Sequence, residues 1–162
     1  MTVIDGTIAA NEAQRGSLWA LREGISESQR YEGSSLKHDI SVPIAKLPAF
    51  MRQAESLVLN WEPDARICAF GHLGDGNLHY NVSQPAGAEE SAFLENGKQL
   101  SKRLHDLVME FGGSISAEHG IGQMKTRDLE YYKSPVAMAV MRSIKETLDP
   151  NGIMNPGKVL QT

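Results

Sequence analysis

The 162-residue sequence is poor in what several large classes of protein require. Its single cysteine, Cys68, excludes an internal disulfide framework, fits a reducing compartment, and reads as a small core residue. No cluster of lysine and arginine is present and the formal net charge is -4. The counterion-release term that drives binding to a phosphate backbone is therefore missing, and nucleic acid is not expected as a partner. No apolar run approaches the ~20 residues that span a bilayer. The opening MTVIDGTIAANEAQRG also lacks a basic segment followed by an apolar one, so a chain without a membrane span, in the cytoplasm, is expected. No GxGxxG follows a strand, which removes the usual cradle for a dinucleotide. Repeats, low-complexity segments and Gly/Ser linkers are absent as well, and 41% of the residues are hydrophobic. Residues 1–162 are expected to form a single domain with a real core.

What is present is a succession of patterned segments. Over residues 11–30, Leu18, Leu21 and Ile25 recur at three and four positions, predicting an amphipathic helix with Arg22 and Ser26 along the edge of its stripe. LKHDISVP then alternates, with His38, Ile40 and Val42 on one side of a strand and Lys37, Asp39 and Ser41 on the other. Pro43 ends that strand and opens a helix to about residue 60. Strands at 66–72 and 77–83 flank a turn, a long helix covers 89–111, and Gly112 and Gly113 stop it. A short strand, SISAE, and a helix over 136–148 follow, and the turn-rich DPNGIMNPGKVL closes the chain as a loop. Over residues 36–117 the order is strand, helix, strand, strand, helix, strand. That is the ferredoxin-like βαββαβ pattern, an α+β fold with an antiparallel sheet and both helices on one face, here preceded by a helix and followed by a helical tail over 118–162.

The polar chemistry is concentrated in GHLGDGNLHYNV, which holds two histidines, an aspartate, two asparagines and three glycines. With Asp75 and Gly76 as the centre of a type I′ turn, His72 faces His79 and Phe70 faces Asn81, while Ile67, Ala69, Leu78, Tyr80 and Val82 take the face that packs on the helices. Two opposed imidazoles can share a metal ion but need a carboxylate or thiolate beside them. SAEHG offers Glu118, with His119 adjacent and Gly120 and Gly122 allowing the chain to turn. A divalent ion on His72, His79 and Glu118 and a merely solvated hairpin face are both open at this point. Of the other histidines, His38 is expected to be partly buried and hydrogen-bonded, and His105 to lie at the surface of its helix.

In order, LWALRE, KHDISVP, GHLGDGNLHYNV, SAEHGIG and LDPNGIMNPGKVL resemble the C-terminal part of the FAD-linked oxidases and dehydrogenases of D-2-hydroxy acids. The resemblance runs from about Ser17 to Leu160. It implies oxidation of D-lactate, glycolate or D-2-hydroxyglutarate to the 2-oxo acid, with hydride passing to the flavin and on to an electron acceptor. It implies that His72, His79 and Glu118 hold a divalent metal, zinc first with iron or manganese as alternatives, and that His119 is the general base. Arg22, Ser26 and Lys37 match the carboxylate-binding set, Asn81 a polar contact near substrate and flavin, and Asn155 an asparagine that approaches the flavin. Ser26 stands where many relatives have threonine, which keeps the hydroxyl. The family's FAD-binding domain, of the vanillyl-alcohol-oxidase type, precedes these motifs. The chain is therefore expected to be a substrate and metal cap, a fragment that alone is flavin-free and inactive. A metal-dependent hydrolase, a non-catalytic ferredoxin-like module and a homodimer are left open by the sequence.

Overall fold

A computed structural model describes residues 5–161. The chain runs through α1 (Glu12–Glu23), α2 (Ile25–Ser28), β1 (Ser35–Leu36), β2 (Asp39–Ser41) and α3 (Leu47–Trp61). It continues through β3 (Arg66–His72), β4 (Asn77–Ser83), α4 (Glu90–Glu110), α5 (Thr126–Tyr132) and α6 (Pro135–Leu148). The α+β class and the antiparallel sheet agree with the sequence pattern. β3 pairs with β4 over its whole length, and β1 and β2 lie along the other edge of β4, with Leu36 opposite Val82 and Ile40 opposite Leu78.

Alternation along β4 sends Leu78, Tyr80 and Val82 to one face. There they join Leu36 and Ile40, Phe50, Ala54 and Val58 of α3, and Leu100, Leu104 and Val108 of α4 in one buried cluster. Each large side chain so buried stabilises the fold by roughly 1.5–3 kcal/mol relative to exposure. Both long helices thus occupy one face of the sheet, which leaves the opposite face free for chemistry.

Several expectations are corrected. The first helix is interrupted at Gly24 and continues as α2 and a 3₁₀ turn (Gln29–Tyr31). No residue of α1 is buried, and Leu21, expected in its core stripe, is 74% exposed. The first strand is broken at Lys37 and His38. His38 turns inward, its Nδ1 lying 2.8 Å from the Tyr80 carbonyl and its Nε2 3.0 Å from Ser101 Oγ on α4. His105 is not at the surface but 7% exposed, its ring 5.7 Å from that of His38. The fourth strand is reduced to one bridge between Ser41 and Ser114, because the N–H groups of residues 117–119 are taken by the Asp39 side chain instead of a neighbouring strand. Cys68 lies opposite Asn81, on the face away from the helices, and is half-buried. Helix α5 has no counterpart in the sequence reading, since Leu129 is the only hydrophobic residue it buries.

Leu129, Met138 and Leu160 form a second, smaller cluster with Ile121 and Met141 packed against it. The tail is fastened to it through the Val159 N–H, which donates to the Gly122 carbonyl. Among the described residues no helix is long and apolar enough to cross a membrane.

Candidate metal and substrate site

The hairpin between β3 and β4 is longer than a two-residue turn. His72 pairs with Asn77 and Phe70 with His79, so residues 73–76 form the loop and the register is shifted by two from the expected one. The Asp75 carboxylate accepts the Asn77 N–H at 2.9 Å. Gly76 sits at φ +74, where a Cβ would lie 2.1 Å from the Val42 carbonyl oxygen, and its own carbonyl accepts the Val42 N–H. These contacts seat the loop on the end of β2 and fix the register. A shift of two keeps every side chain on its face. His72 and His79 therefore stay together with Phe70 and Asn81, diagonally instead of directly opposed.

Glu118 closes the gap between them. Its Oε1 is 2.7 Å from His72 Nδ1 and its Oε2 3.3 Å from His79 Nε2. Phe70 flanks the His79 ring at 5.0 Å between centroids, and His119 stacks on the same ring at 5.4 Å and 28°. His119 is exposed, its side chain 68% accessible. Two imidazole nitrogens and a carboxylate, partly open to solvent, are donor atoms of the kind that can hold a divalent metal. Asp39, His79, Glu118 and His119 also offer ligand atoms within 4.8 Å of one another, although Asp39 Oδ2 already accepts three backbone N–H groups.

Asp39, which sequence reasoning did not name as a site residue, anchors the segment that carries Glu118 and His119. It is 4% exposed, and its Oδ2 accepts the N–H groups of Ala117, Glu118 and His119 at 3.1, 2.9 and 2.8 Å. Its Oδ1 accepts the side-chain amide of Asn77 at 3.3 Å. Burial alone would raise its pKa, but the three N–H bonds and the neighbouring His119 outweigh burial and hold the carboxyl below its ordinary value. The signal was available: alternation placed Asp39 on the polar side of a strand whose other side is core.

A cleft of about 1210 Å³ opens beside these groups, lined by Ser26, Lys37, Asn81, His79, Glu118 and His119 among others. Lys37 reaches it because the strand breaks there. Arg22 stands at its margin, donating to the Gly71 carbonyl at 3.4 Å with its guanidinium 5.5 Å from the Phe70 ring centre. Asn81 is buried and donates to the Gln29 side chain at 2.8 Å, tying the 3₁₀ turn after Ser26 to β4. His72 joins the group through Glu118. Asn155 is not brought to the cleft; it occupies an exposed turn of the tail at φ 46, while Lys158 from the same tail lines the cleft. Gln29, Lys102, Lys125 and His105, all lining residues, were not singled out as site residues by the sequence reading.

The model of the family described as FAD linked oxidases, C-terminal domain, matches residues 1–159. The chain is 43% identical over 157 residues to a D-2-hydroxyglutarate dehydrogenase of Stutzerimonas stutzeri, covering 97% of the chain and 34% of that protein. It is 44% identical over 161 residues to the one of Xanthomonas citri pv. viticola, covering 99% and 34%. With the mitochondrial D-2-hydroxyglutarate dehydrogenase of Rattus norvegicus the identity is 40% over 159 residues, covering 98% and 28%. The chain thus spans about a third of the length of these relatives.

Proposed function

Since the chain belongs to the FAD linked oxidases, as their C-terminal domain, we propose that it is the substrate and metal side of a D-2-hydroxy acid dehydrogenase. D-2-hydroxyglutarate, named in the relatives, is the first candidate substrate. The observation that carries this reading is the convergence of His72, His79 and Glu118 beside the exposed ring of His119. The donor set fits a divalent cation, zinc first. When bound, the cation supplies Lewis acidity toward the 2-hydroxyl and the flavin supplies the hydride acceptor.

The remaining work belongs to the chain. His119 takes the hydroxyl proton, a service worth ~10² to 10⁴ in rate. Arg22 offers a planar fork, Lys37 a point charge and Ser26 a hydroxyl to carboxylate oxygens, which orients C2 for transfer. Asn81 holds the wall of the cleft and Asn155 belongs to the flavin side of the assembled protein. The flavin is held mainly by a further domain of the same protein, without which the chain is inactive. Surfaces offered to that domain are the exposed stripe Val136, Val140, Ile144 and Leu148 on α6 and Trp19 and Leu21 on α1. A cytoplasmic location is part of the same proposal.

The test is metal content and binding of a 2-hydroxy acid analogue in the purified protein and in His72→Ala. Loss of stoichiometric metal, with weakened analogue binding, is expected in the variant. Metal retained at parental stoichiometry overturns the ligand assignment.

A further inference from the structure

We infer that Asp39 is the positioning residue of this site, a single buried carboxylate that fixes the backbone carrying Glu118 and His119 and orients the rings of both His79 and His119. The inference rests on the reading of His72, His79 and Glu118 as ligands.

Its first half is the clamp. Residues 114–125 contain no regular element beyond the bridge at Ser114, so neither a strand nor a helix holds Glu118 and His119 in place. Oδ2 of Asp39 does so by accepting three successive backbone N–H groups. Such a nest of amides around one anion is a strong, charge-assisted arrangement. Asp39 itself is held from behind, in β2, by pairing with His79 of β4 and by the Asn77 amide on Oδ1.

Its second half concerns the rings. Oδ1 lies 3.8 Å from His79 Nδ1, and Oδ2 lies 3.9 Å from His119 Nδ1. A carboxylate on the Nδ1 side favours the tautomer that carries its proton there, as partners behind metal-bound histidines do. For His79 this places the ring with Nε2 toward Glu118, so that a cation taken up between them meets Nε2 while Asp39 faces the proton on Nδ1. For His119 it leaves Nε2 as the atom that takes a proton. Asp39 acts through these groups and not as a ligand, because its Oδ2 is filled by three N–H groups and its side chain is buried.

Asp39→Asn separates this role from simple packing. The amide oxygen can take the three N–H bonds, and the amide nitrogen then occupies the place of Oδ1 facing Asn77 Nδ2, where a flip of the Asn77 amide brings its unpartnered Oδ1 round to accept it. Shape and hydrogen bonds survive while the charge is lost. We expect Asp39→Asn to fold with near-parental thermal stability and to bind zinc ~10 to 100-fold more weakly, measured by competition with a chromogenic chelator. In the metal-free variant, ¹⁵N NMR of the imidazoles should show His119, whose Nδ1 faces Asp39, losing its preference for the Nδ1–H tautomer. Asp39→Ala should in addition speed hydrogen exchange at the amides of residues 117–119. Parental zinc affinity and parental tautomers in Asp39→Asn overturn the inference while leaving the ligand assignment standing. A parent protein that binds no zinc overturns both.

Discussion

Gly76 carries more of the site than a residue without a side chain usually does. Its φ of +74 and the 2.1 Å approach of its missing Cβ to the Val42 carbonyl let the hairpin loop sit on the end of β2. Gly76→Ala is therefore expected to destabilise the protein by roughly 1–3 kcal/mol from the left-handed backbone alone, with the steric conflict added. Urea unfolding measures the loss, and parental stability would contradict this account of the loop. The same residue shows what the sequence could and could not convey. Period-two alternation correctly placed Phe70, His72, His79 and Asn81 on one face, because any even shift preserves it. The register itself was not legible, since it is set by the bond from Asn77 to Asp75 and by the distant partner Val42. Asp39 was legible as a polar strand residue but not as an anchor, because its three partners lie 78 to 80 positions away.

At the scale of elements, the break between β1 and β2 does two jobs with adjacent residues. It puts Lys37 on the cleft and drives His38 against α4, where it meets Ser101 and His105. Burial pushes the His38 pKa down to about 4 against the support of the Tyr80 carbonyl, with His105 and Lys125 adding to the depression. Burial, then Lys125, likewise lowers His105 to about 4. In the unfolded chain both titrate near ~6.5. Between that value and about 4 the unfolded chain takes up protons that the folded chain refuses, so stability is full above the upper limit and falls as pH falls through the window. For His38 the loss is on the order of 3 kcal/mol by the lower limit. Urea unfolding followed from pH 7 down to about 4.5 should show the decline, and His38→Gln should flatten it; an equally steep profile in the variant would refute the assignment. The long helices were legible from apolar spacing alone. His105 was not, because spacing gives the centre of a buried stripe and not its width, and the width here depends on where His38 and Tyr132 sit.

Across the whole molecule, the segment bearing Glu118 and His119 is strung between two separate bodies of packing. Asp39 ties its start to the sheet and hence to the main core, while Ile121 packs on the small cluster of Leu129, Met138 and Leu160. The tail completes that cluster with Leu160 and bonds back to Gly122 through Val159, which is held at φ 66, a costly conformation for a β-branched residue. The segment after α1 and the tail both reach one cleft, through Ser26 and Lys158. Little of this was legible in DPNGIMNPGKVL, where prolines and glycines announce a loop but not the surface it lies on. Because the second cluster is small, it should open without the first. Leu160→Ala removes a buried side chain at a cost of about 2–5 kcal/mol if the cavity does not collapse. Native-state hydrogen exchange is then expected to show faster exchange at Val159, Lys125 and Leu129, whose N–H groups are bonded within this region. Protection in β3 and β4 should stay at the parental level. Uniform acceleration across both clusters would mean that the tail, the segment of Glu118 and His119 and the sheet unfold as one unit, and that the segment's second anchor is not separable from its first.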